Sequence, residues 1–102
     1  MSYVTNTILT FNVLEDEKER LVEVNKFFGD SKGFVSCDDE SLPRGWYGGI
    51  KMLETNICIG SFNYLKVEEL VDYLREIKWK KPQNVQLMLK NQSDEKFTLL
   101  TL

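Results

Sequence analysis

Three groups of residues in this chain are of types that do chemistry. They are the acids of "CDDE" (Cys37 to Glu40), the glycine-aromatic run "RGWYGGIKM" (Arg44 to Met52), and carboxylates four apart at Glu15, Glu19, Glu23 and at Glu68, Asp72, Glu76. Adjacent acids supply oxygen donors for a hard cation, but a calcium loop alternates its ligands and sets a glycine at its turn. "CDDE" does neither and reads as a solvated acidic loop. A phosphate cradle places its glycines between a strand and a helix whose first amides face the anion. Here the glycines lead into a strand-like run and no Gly-Lys-Ser/Thr ending follows, so a bend, a bulge or a close backbone approach is the expected use. Trp46 and Tyr47 suit either the edge of the core or the anchoring of a partner, because Trp, Tyr and Arg dominate interface hot spots. Trp79, in "IKWKKPQ", has the same two readings.

The chain contains no histidine, which rules out Ser-His-Asp and Cys-His arrangements and removes the commonest acid-base group near neutral pH. Cys37 and Cys58 are too few for a disulfide framework or an all-cysteine zinc site. Cys58, in "NICIGSF", is expected in the core and Cys37 free in an exposed polar loop; neither has an evident route to a thiolate. A carboxylate-pair hydrolase needs a deep cleft, which a larger scaffold ordinarily provides. The expectation is a protein without catalytic activity, cofactor or metal.

The spaced carboxylates share helix faces, where like charges repel by a few tenths of a kcal/mol per pair. Two explanations stay open. Local pairs could compensate them, Asp16 with Arg20, Glu23 with Lys26, Asp72 with Arg75 and Glu76 with Lys80. Alternatively the ridges, with Asp38, Asp39 and Glu40, present negative potential to a basic protein. The net charge of -3 arises wholly in residues 1 to 51, with nine acids against six bases, while the remainder is balanced. That disfavours direct nucleic-acid binding.

The elements that must position these groups follow from patterning. At 102 residues, with 42% hydrophobic content, the chain is expected to form one domain, residues 1–102, monomeric or a small homo-oligomer. No apolar run has the length of a membrane span or a signal, so a cytoplasmic chain starting at Met1 is expected. "YVTNTILTFNV" reads as a strand. Leu14, Leu21, Val24 and Phe28, widened by Val22 and Phe27, give a helix over 15–28, with acids in its first turn and Gly29 past its end. Residues 29–44 form a long loop with a short strand at Phe34 and Val35. Strands are expected at Tyr47 to Leu53 and Ile57 to Phe62, joined as a hairpin through "ETN". Val67, Leu70, Val71, Leu74 and Ile77 define a second helix, and "NVQLMLKN" and "KFTLLTL" are two further strands. The order predicts an α+β fold, a two-layer sandwich with an antiparallel or mixed sheet and both helices packed on one face, and is compatible with a split-βαβ arrangement.

In size, and in the run from "YGGIKMLE" through "IGSFNYL" to "NVQLMLKNQSDEKF", the chain resembles small bacterial proteins of polymorphic-toxin systems and is similar to the immunity proteins of contact-dependent growth inhibition. The resemblance implies a protein that binds a cognate toxin domain, often a nuclease with a basic surface, and neutralises it in the cytoplasm. It transfers no residue roles. The residues expected to meet a partner are Asp38, Asp39, Glu40, Arg44, Trp46, Tyr47, Glu68, Asp72 and Glu76. The other reading is a small non-catalytic regulatory or ligand-binding domain that self-associates through a strand edge.

Overall fold

A computed structural model describes residues 2–102, so the expected start at Met1 lies outside the described residues. The first strand, β1 (Val4–Asn12), alternates strictly, with Thr5, Thr7, Leu9 and Phe11 buried and the even positions half-buried on the opposite face. Helix α1 (Glu17–Asn25) runs into a 3-10 turn at Lys26–Phe28, closed by Gly29. Then come β2 (Val35–Ser36), β3 (Thr55–Asn63), α2 (Val67–Glu76), a second 3-10 turn at Pro82–Asn84, β4 (Gln86–Asn91) and β5 (Thr98–Thr101).

The five strands form one antiparallel sheet in the order β2-β3-β1-β4-β5. Each helix carries the chain to a strand two places away. The crossover through α1 leaps over β3 and that through α2 leaps over β1, giving two interleaved split-βαβ units, and the β4–β5 hairpin extends one edge. Register places Leu9 opposite Cys58 on one side and Leu87 on the other, so all three enter the core beneath Val24, Leu70 and Leu74. The fold is therefore the expected α+β architecture, with an antiparallel rather than a mixed sheet and both helices on one face.

Trp79 belongs to this core. Its indole N–H donates to the Leu74 carbonyl at 2.9 Å, its ring lies 5.1 Å from that of Phe11, and the Arg20 guanidinium sits 5.9 Å above it. Burial of the ring together with its one polar atom satisfied decides between its two readings in favour of packing.

Expectations for two elements fail for identifiable reasons. Residues 47–53 form no strand. The hairpin would have needed the middle of β3's outer flank, but β1 pairs along one side of β3 and Val35 and Ser36 of β2 pair with Ile59 and Cys58 on the other, so the irregular connection runs from Cys37 to Glu54. The first helix also starts later than expected. Asp16 caps it, its carboxylate accepting from the Glu19 amide at 3.1 Å, while Leu14 and Val22 face solvent.

Glu15, expected in an exposed first turn, is only 4% exposed. Its carboxylate accepts from Arg20 Nε at 3.0 Å and from the backbone amides of Lys80 and Lys81 at 3.1 and 2.8 Å. Arg20 in turn donates to Glu23 and to the Lys78 carbonyl. Burial pushes the Glu15 carboxyl up, but the Lys81 and Lys80 amides and Arg20 outweigh it and hold the group below its ordinary value. Its stabilisation is therefore complete above the ordinary glutamate value near 4.5 and is lost as the pH falls through the folded value.

Glu15→Ala leaves a mostly buried guanidinium and two amides without their acceptor, and is expected to cost about 3 kcal/mol in urea unfolding at neutral pH. Glu15→Gln removes the titration, so that between about pH 5 and pH 3 its stability should fall less steeply than that of the wild type.

Candidate functional site

The connection between β2 and β3 folds back on itself around a hollow of about 600 Å3. Six of the nine expected contact residues line it: Asp38, Asp39, Glu40, Arg44, Trp46 and Tyr47. Its entry is pinned to α1, with Ser36 Oγ donating to Glu17 Oε1 at 2.8 Å and accepting from the Asp38 amide at 3.0 Å. Glu40 reaches Lys18 at 2.7 Å between two largely exposed side chains and raises the lysine's pKa. Gly45 (φ 69°) and Gly49 (φ 90°) turn the chain through left-handed conformations that other residues rarely adopt, which realises the bend expected of this run.

The three acids of "CDDE" do not converge. Asp39 is exposed and accepts from the Ser41 hydroxyl and amide, which lower its pKa. Glu40 is held by Lys18, and Asp38 points to solvent. Arg44 and Lys51 make no ion pair among the described residues, and the cation that balances this acidic run is Lys18 of α1. Among the described residues no group of three or more acids and thiols is placed to hold a metal ion.

The hollow's distinctive feature is apolar. Trp46 donates its indole N–H to the Cys37 carbonyl at 2.6 Å, which fixes the ring, yet the residue remains 49% exposed, and Tyr47 packs edge-on at 6.2 Å. Beside them Ile50 and Met52 are 97% and 76% exposed. Trp46 is thus neither a core residue nor a free side chain but a ring held at the surface. Reading Ile50 and Met52 as strand residues concealed their exposure; the doubled Gly48-Gly49 just before them was the available sign that they belong to a loop.

The remaining candidates, Glu68, Asp72 and Glu76, lie exposed along α2, away from the hollow. None of the four helical pairs expected to neutralise the ladders forms among the described residues. On α1 the ladder is dismantled, since Glu15 is buried and Glu23 is bound to Arg20, whereas the α2 ladder stays intact. Elsewhere, a second hollow of about 530 Å3 has walls including Phe27, Phe28 and Phe62 and a rim with Lys32 and Lys66; it contains none of the expected residues.

Cys58 is buried as expected, whereas Cys37 is half-buried rather than exposed. Burial, with a smaller contribution from Glu17, pushes both thiols above their ordinary value. The chain matches no protein-family model and has no significant match among curated proteins or solved structures.

Iodoacetamide at pH 7.5 is expected to alkylate Cys37 more slowly than an unstructured thiol and Cys58 only once the chain unfolds, as followed by mass spectrometry. Trp46→Phe keeps a ring but deletes its anchor, so faster amide hydrogen exchange should appear across 38–52 while the strands keep their protection.

Proposed function

We propose that this chain is an immunity protein that binds and neutralises a cognate toxin domain in the cytoplasm. The observation that carries the reading is the 37–54 connection. A tryptophan locked by its own hydrogen bond, with fully exposed Ile50 and exposed Met52 beside it, forms an apolar centre, and Asp38, Glu40 and Arg44 form a charged rim. Interfaces have that anatomy, with desolvated aromatic and aliphatic anchors inside and polar groups around them. Holding the ring before binding lowers the entropy lost on association.

The acids add direction. The uncompensated Glu68, Asp72 and Glu76 and the rim carboxylates favour a basic partner, as a nuclease surface built to receive phosphate would be. The resemblance to toxin-system immunity proteins supplies the class of partner, and the loop supplies the means of gripping it.

The test pairs the chain with a toxin domain found in a neighbouring open reading frame; a locus without one counts against the reading. Co-expression should restore growth, and the purified complex should weaken at least about tenfold between low and moderate salt. Trp46→Ala with Ile50→Ala is expected to raise the dissociation rate about 30-fold, and Asp38→Asn with Glu40→Gln to slow association chiefly. A complex indifferent to all four substitutions would move the binding surface off this loop.

A further inference from the structure

The sheet face turned away from the helices is not the polar surface that an antiparallel sheet ordinarily shows to water. Register aligns one side chain from each of the five strands into a continuous apolar row: Val35 beside Ile59, Ile59 beside Ile8, Ile8 beside Met88, and Met88 beside Leu99. Ile59 and Leu99 are 44% and 54% exposed. The rows on either side are mostly polar: Thr10, Gln86 and Thr101 with Ile57 on one side, which widens the apolar strip at β3, and Asn6 with Ser61 and Lys90 on the other.

We infer that this face seats a second copy of the chain, packed sheet against sheet about a two-fold axis. The row is self-complementary. It is centred on Ile8 of the middle strand with two apolar residues on either side, so an axis parallel to β1 sets Ile8 against Ile8, Ile59 against Met88 and Val35 against Leu99. A two-fold interface requires such self-complementarity.

Charge selects the same occupant. No strand residue is acidic and Lys90 is the one charged residue in the five strands, although the chain as a whole carries -3. Stacking the open faces puts both helix layers and their carboxylates on the outside, so the two copies meet across the one large surface where they do not repel. A basic partner finds nothing to pair with there. Edge pairing is the poorer route, because the outer strands are β2 with two residues and β5 with four.

Size sets the strength. At a strand spacing of about 4.8 Å and a rise of about 3.3 Å per residue the strands present a flat footprint of roughly 500 Å2. Two such faces cover roughly 1,000 Å2, the lower limit for a specific interface, which fits a dimer of micromolar rather than nanomolar affinity. The inference uses no residue of the 37–54 connection and stands independently of the toxin-binding reading.

Sedimentation velocity and light scattering on the full chain test it. The expected species at micromolar concentration is a dimer of the 11.9 kDa chain. Ile59→Lys with Leu99→Lys should raise the dissociation constant at least about 30-fold. Ile59→Thr with Leu99→Thr preserves strand preference and should weaken the dimer in the same direction; it decides the matter if the lysine variant does not unfold cooperatively. A wild-type chain that stays monomeric throughout, or a dimer whose dissociation constant is unchanged in a folded double variant, overturns the inference.

Discussion

A carboxylate taken out of water must be repaid with hydrogen bonds, and in this protein Glu15 meets that requirement by tying together segments distant in sequence. It sits between β1 and α1, and two of its donors are backbone amides at Lys80 and Lys81, beyond the end of α2. Arg20 completes the set and extends it to Glu23, to the Lys78 carbonyl and to the face of Trp79. The knot brings the start of the first crossover against the end of the second. Both helices are thereby placed on the same face, and Trp79 closes the core over Phe11.

With the helices so placed, strand order decides what becomes of the segment carrying the most conspicuous residues. β3 is flanked by β1 and, at Cys58 and Ile59, by the two residues of β2, so a hairpin strand from the chain between Cys37 and Glu54 would meet β2 at the middle of β3. The connection closes on itself instead, held by Ser36 and Glu17, by Lys18 and Glu40, and by the indole of Trp46 on the Cys37 carbonyl. A loop anchored at these points can hold apolar side chains in water without collapsing onto the core. That combination suits it to recognition.

The charges are segregated by layer. Acids are confined to helices and connections, while the strands carry none. On α1 two of the three spaced glutamates are absorbed by Arg20; on α2 the series is left uncompensated. The molecule therefore has an acidic helical side, an apolar and almost uncharged sheet face, and a loop that combines apolar anchors with rim charge. These three surfaces are chemically suited to different occupants.

By itself the sequence determined the elements whose patterns are local. The β-branched and aromatic content of "YVTNTILTFNV" makes a strand, the stripe through Leu70 and Leu74 makes a helix, and the absence of histidine excludes whole classes of catalysis, since each follows from residue type and periodicity alone. The α+β layering followed from the order of those elements. Of the candidate site, six residues were legible as a cluster because they are close in the chain. Only the tertiary structure decided that Glu15 is buried, that Trp79 is core while Trp46 is surface, and that Ile50 and Met52 belong to a loop. It also aligned Val35, Ile59, Ile8, Met88 and Leu99 into one row. The reason is common to all of these: burial, a strand's free flank and cross-strand register depend on partners tens of residues away, and no local pattern encodes which partner arrives first.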